Sequence, residues 1–177
     1  LDGLSGSYRR YGYGQTFARF LSADLELVVG ELSRHSTFSI DRMQVDAWVG
    51  SIRYLSEALV AWSAEGHLYL EFDVPRLGRR IDAVLVLRHV VFVIEFKVGS
   101  KAFLATDIDQ VVDYALDLKH FHETSHDVPV VPILVATEAR AITVQAAMDN
   151  AVPNLFLPMR CTPETLGQGI ALALELA

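Results

Sequence analysis

One cysteine, Cys161, stands among 177 residues, so no intrachain disulfide can form and a reducing cytoplasm suits the chain. No apolar run approaches the roughly 20 residues that cross a bilayer, so no membrane partner is expected. No basic-then-apolar leader opens the sequence. Positive charge is scarce: 15 Lys and Arg face 22 Asp and Glu, a formal charge of −7. That weighs against a protein that coats nucleic acid through a basic face. It leaves room for one that meets a polymer in a local groove. A G-x-x-x-x-G-K-[ST] phosphate loop is missing, as are internal repeats and low-complexity tracts. The first residue is Leu1 rather than Met, which suggests a part of a longer protein. What the chain does have is apolar residues, 51% of it, enough over this length for one substantial core.

Residues 1–15 read as an irregular lead-in, and 16–177 as one domain. Tyr8, Arg9, Arg10, Tyr11 and Tyr13 interleave aromatic and basic side chains, a pattern that could suit single-stranded nucleic acid, although a partly docked terminus is the simpler reading. Phe17, Phe20, Leu21, Leu25, Val28 and Leu32 recur at helical spacing. Asp41 is a fitting N-cap for a second helix, whose apolar stripe includes Trp48 and Trp62, and Gly66 closes it. Strands are expected over His67 to Asp73, Arg79 to Leu87 and Val90 to Lys97. A helix from about Thr106 to His122 follows, then a buried strand from Val130 to Ala136. Helical residues after Thr137, a short strand from Asn154 to Leu157 and a last helix capped by Thr162 complete the order. His120, His122 and His126 read as a solvated helix end rather than a zinc site.

The two-strand stretch from Arg80 to Lys97 carries the chemistry. A tight turn at Arg88 and His89 places Leu87 opposite Val90 and, in the same register, Asp82 opposite Glu95. Opposed antiparallel residues hold their Cβ atoms about 4.5–5.5 Å apart. Two carboxylates at that spacing in an apolar sheet repel and resist desolvation unless a cation lies between them. Lys97, two residues after Glu95, projects from the same strand face. A second even turn through Pro75, Arg76, Leu77 and Gly78 would bring Glu71 opposite Asp82, giving one row of three acids. Oxygen ligands of this kind suit Mg²⁺ or Mn²⁺.

Asp82, followed after a strand and turn by Glu95-Phe96-Lys97, resembles the signature of the PD-(D/E)XK nuclease superfamily, with Ile81 in place of its proline. Gln110 to Tyr114 is similar to the Q-x-x-x-Y motif of its RecB-like members, whose two side chains lie one helical turn apart. The order of the tryptophan helix, Glu71 to Pro75, the Asp82 strand, Glu95-Phe96-Lys97 and Gln110 to Tyr114 resembles a nuclease-like region found before the ATPase core of a bacterial family of helicase-like proteins. Where that family usually has a helix glutamate, this chain has Gln44, which can still bind a ligand water.

The resemblance implies a restriction-endonuclease-like three-layer α/β fold, with a central mixed sheet flanked by helices. It also implies a Mg²⁺-dependent (or Mn²⁺-dependent) nuclease, with DNA favoured over RNA. Asp82, Glu95 and the Phe96 carbonyl would hold the metal, Glu71 directly or through water. Lys97 would serve the attacking water, with Gln110 and Tyr114 steadying it, and Arg79, Arg80 and Lys101 would meet phosphates. A helicase or ATPase in the same or a partner chain, and a homodimer, are the implied protein partners. Two alternatives stay open: a nuclease fold that binds nucleic acid or docks an ATPase without cutting, and a hydrolase of free nucleotides.

Overall fold

The computed structural model describes residues 9–36, 40–74, 78–121 and 127–177. Tyr8, the turn residues Pro75, Arg76 and Leu77, and His122 and His126 lie outside these, so the expectations placed on them are not taken further.

Six strands form one mixed sheet in sequence order: β1 (Tyr11–Thr16), β2 (His67–Val74), β3 (Arg79–Leu87), β4 (Val90–Lys97), β5 (Val130–Ala136) and β6 (Met159–Cys161). The first four pair antiparallel, whereas β4, β5 and β6 run parallel. Helices cover both faces. On one side, α1 (Phe17–Ser22), α2 (Leu25–His35), α3 (Arg42–Leu59) and α5 (Leu166–Leu176) share a core with Leu68, Leu85, Phe92 and Ile133. On the other, α4 (Ala105–Phe121) buries Val111, Tyr114 and Leu118 against Val84, Val93 and Leu134. Burial of β4 and β5 on both faces explains their unbroken apolar runs.

The helix boundaries follow local chemistry. The periodic stretch from Phe17 to Leu32 is two helices rather than one. Thr16 Oγ1 accepts from Arg19 N (3.3 Å) to start α1, and Asp24 Oδ1 accepts from Glu26 N (3.0 Å) to start α2. Asp41 caps α3 through Gln44 N at 2.8 Å, as expected. Thr162 and Thr165 form a reciprocal capping box before α5.

Three expectations fail. Tyr11–Thr16, assigned to the irregular lead-in, is an edge strand whose Gly12 and Gly14 disguise it. Residues 137–158 hold no helix, and Val144 packs into the core from irregular backbone. The strand placed over Asn154 to Leu157 is only two isolated bridges, at Leu155 and Phe156; β6 begins beyond Pro158. Asn154 sits at φ 56°, a left-handed conformation that a strand does not use.

The register positions the site. Leu87↔Val90 to Ala83↔Ile94 is the expected pairing of β3 with β4, and there the ladder stops. Beyond it β3 stays with β2 as far as Val74↔Arg79, and β4 stays with β5 as far as Lys97↔Ala136. The sheet therefore forks just past Ala83 and Ile94. Side-chain facing changes at the same level. Leu68, Leu70, Ala83 and Tyr13 lie in the α3-side core, yet Phe72, Val74 and Ile81, of the same strand parity, pack on the α4 side, and Tyr11's ring meets Tyr69, which also packs there. Glu71, at φ 51°, lies at this reversal.

Candidate metal and phosphate site

Asp82 and Glu95 stand at the mouth of the fork. Strands that part leave backbone donors without a ladder partner, and buried N–H groups must be satisfied. Asp82 meets this need: its Oδ2 accepts from Phe96 N at 2.7 Å, in place of the missing rung. Leu70↔Ala83 and Phe72↔Ile81 bracket Glu71 and Asp82, which keep the expected register, whereas Asp82 and Glu95 lie one step past the last β3–β4 rung, Ala83↔Ile94.

The row does not become a three-acid cage. Glu71 turns toward α3, where Oε1 accepts from Trp48 Nε1 (2.8 Å) and Oε2 from Arg80 (3.2 Å). Among the described residues, no three His, Cys, Asp or Glu side chains gather closely enough to hold an ion. Arg80, expected to meet phosphate, is occupied by Glu71 and, at 3.8 Å, Asp73. Arg79 and Lys101 are exposed, and Arg79 lies within electrostatic reach of Tyr114. Gln44 lines a cleft of about 90 Å³ between α3 and the sheet, shared with Trp48, Glu71, Asp82 and Phe96.

On the α4 side the expected residues converge. Lys97 Nζ lies 3.0 Å from Glu95 Oε1 and 2.9 Å from Gln110 Oε1. Gln110 Nε2 donates to Glu95 Oε1 and to the Tyr114 hydroxyl, both at 2.9 Å. The amide has one orientation that works, because an ammonium only donates and a carboxylate only accepts. Sequence reasoning missed two participants. Asp107 Oδ1 lies 3.7 Å from Lys97 Nζ, and its place three residues before Gln110 on one helix face was a usable signal. Trp48 reads only as core from its stripe, and nothing in that pattern announces the bond to Glu71.

The electrostatics are those of under-compensated acids. Burial pushes the Glu71 carboxyl up. Burial and then the neighbouring Glu95 charge raise Asp82 well above the usual range, although Asp82 keeps some solvent contact. Burial also raises Glu95 despite the opposing pull of Lys97. For Lys97 burial is the largest single influence and works toward a lower value, but the charge and hydrogen bond of Glu95 together with the charges of Asp107 and Asp82 outweigh it and raise the amine above its ordinary value. Glu95 Oε2 is buried and accepts no hydrogen bond. A buried carboxylate oxygen left bare is costly, and a hard cation is one way to satisfy it. Mg²⁺ is commonly held by one or two carboxylates plus substrate phosphates, keeping several waters. Asp82 and Glu95 fit that pattern without Glu71. Compared with known proteins, the chain matches no family model and no curated sequence.

Proposed function

We propose that this domain is a Mg²⁺- or Mn²⁺-dependent nuclease with a restriction-endonuclease-like fold, hydrolysing phosphodiester bonds of nucleic acid, DNA ahead of RNA. The observation that carries this reading is the bare, buried Oε2 of Glu95 beside Asp82, with Lys97 fixed on the same strand by Gln110. Asp82 and Glu95 would hold the cation, the Phe96 carbonyl adding a ligand. The bound metal would polarise the phosphodiester and lower the pKa of a coordinated water.

The chain's own residues divide the remaining work. Lys97, an ammonium in this arrangement, orients the attacking water as a donor and offsets negative charge at phosphorus. Gln110 fixes Lys97, and Tyr114 fixes Gln110. Arg79 and Lys101 are exposed cations available to flanking phosphates, whereas Arg80 holds Glu71 in place. Glu71 then acts through water or as a support for the row. The products would carry a 5′-phosphate and a 3′-hydroxyl.

Labelled linear, circular, single- and double-stranded substrates incubated with Mg²⁺, Mn²⁺ or EDTA test the reading. Cleavage with either cation and none in EDTA is expected; intact substrate under every condition refutes it. A non-cutting module that binds nucleic acid or docks an ATPase is the second reading, and the engagement of both Glu71 oxygens favours it. Metal-independent binding without cleavage would establish that alternative.

A further inference from the structure

We infer that the α4-side surface of β1 and β2 is a binding track for single-stranded nucleic acid leading to the fork; the inference rests on the nuclease reading for its purpose but not for its test. Three partly exposed aromatic rings succeed one another there. Tyr11 and Tyr69 have ring centroids 5.0 Å apart, and Tyr69 and Phe72 are 6.4 Å apart. The first pair is seated over a glycine. A Cβ at Gly14 would lie 2.5 Å from Tyr11 Cε2 and 2.9 Å from Tyr69 Cδ1, so a larger residue there would displace both rings, which meet at a 60° tilt. Phe72 pairs with Ile81, next to Asp82, and shares its core with Tyr114. The aromatic series thus runs from the sheet edge to the candidate site.

Charge selects the occupant. Arg9 lies over the Tyr11 ring at 4.7 Å and marks the outer end, and exposed Arg79, opposite Val74 and two residues from Ile81, marks the inner end. Arg9 also pairs with Glu31 at 3.4 Å, but both side chains are about two-fifths exposed (43% and 38%), and such a pair yields readily to a phosphate. Cations at both ends with aromatic rings between suit a polyanion whose bases are free to stack. Unpaired bases offer their faces to aromatic side chains, whereas a duplex has already stacked its own. The track therefore favours single strands, whether DNA or RNA.

Fluorescence anisotropy in EDTA measures binding apart from cleavage. Labelled oligo(dT) and oligo(U) of 15 nucleotides should bind more tightly than a duplex of equal length. Tyr11→Leu and Tyr69→Leu should each weaken binding roughly tenfold, with Tyr69→Phe close to the native protein. Arg9→Glu, a change at an exposed residue that leaves the core untouched, should weaken binding severalfold and flatten its salt dependence. Native-like circular dichroism accompanies each comparison. Equal affinity of the folded Leu variants and Arg9→Glu overturns the inference, as does duplex bound as tightly as single strand, or no binding at low salt. Self-association lost in the same variants would make the surface a contact between copies and overturn it too. Cleavage failing while the track binds would refute the nuclease and leave the track standing.

Discussion

Replacing Asp82 by Asn should stabilise the metal-free protein at neutral and alkaline pH. The side chain keeps an oxygen for the Phe96 N–H, so the fork remains capped. What disappears is a charge that burial and Glu95 both oppose. Taking about 5 Å between the carboxylates and an effective dielectric of about 20, two like charges repel by about 3 kcal/mol. The partial solvent contact of Asp82 screens some of this. The Phe96 bond weakens when its acceptor becomes neutral, a loss of about 1 kcal/mol. A net gain of about 1–2 kcal/mol, or roughly 2–8 °C in Tm for a chain of this size, should remain. The pH dependence carries the sign. A carboxyl raised in the folded state binds its proton more tightly there than in the unfolded chain. Wild type therefore holds this stability below the unfolded value of about 3.9 and loses it as pH rises through the folded value. Asn does not titrate, so the variant's advantage should be present at pH 8 and vanish near pH 4. Urea unfolding in EDTA at both pH values measures it. A variant no more stable than wild type at pH 8, or an advantage that persists in acid, refutes the account of these acids as under-compensated.

Other perturbations read other parts of the structure. Lys97→Ala should abolish Mg²⁺-dependent cleavage while circular dichroism stays native-like; cleavage at the native rate would sink the role given to Lys97. Trp48→Phe removes the donor to Glu71 Oε1 and should cost about 2–3 kcal/mol in urea unfolding. A double-mutant cycle with Glu71→Gln should show coupling between the two residues, and additive effects would contradict it. Gly66 has φ 83°, and a Cβ there would lie 2.7 Å from Phe17 Cε2 and 2.8 Å from the Val86 carbonyl, so Gly66→Ala should cost at least about 1–3 kcal/mol. Unchanged denaturant midpoints would show that the turn relaxes. Burial pushes the Cys161 thiol up to about 12, and thiolate is the reactive form. A thiol reagent at pH 8 should therefore label it only after unfolding; rapid labelling of the folded protein would be inconsistent with this burial.

The central hairpin was legible because its information is local. An even turn at Arg88 and His89 fixes parity, and parity alone places Asp82 with Glu95. Gln110 and Tyr114 were legible for a similar reason, one helical turn apart. The fork was not. Ile81, Ala83, Leu85 and Leu87 are all apolar, so nothing along β3 signals that Ile81 faces the opposite core from Ala83. Glu71's turn toward Trp48 depends on a left-handed φ that its residue type does not announce. β1 escaped notice because two glycines, needed for the close approach of Leu32 at Gly12 and of the rings at Gly14, weaken strand propensity. Ala139, Ala141, Ala146 and Ala147 make the stretch after Thr137 rich in the residue that best favours helix. Tertiary packing of Val144 beside Gly169 decided against a helix there.

The fork separates what folding requires from what it does not. Diverging strands must cap their freed backbone, and Asp82 does so for Phe96 with one oxygen. Asn would serve that purpose without a buried charge, so the carboxylate exceeds the structural need. Glu95 exceeds it further. Its Oε1 already accepts from both Lys97 and Gln110, while Oε2 is buried with no donor. A scaffold selected only for stability would place Gln or an apolar residue there, since a bare buried oxygen and a nearby like charge both destabilise the fold. Lys97 pairs with Glu95 Oε1 and, at 3.7 Å, with Asp107 Oδ1, and gives no hydrogen bond to Glu95 Oε2. The bare Glu95 Oε2 and the buried charge of Asp82, more than the resemblance of their spacing to any motif, are the physical ground for the proposal of a cation between Asp82 and Glu95.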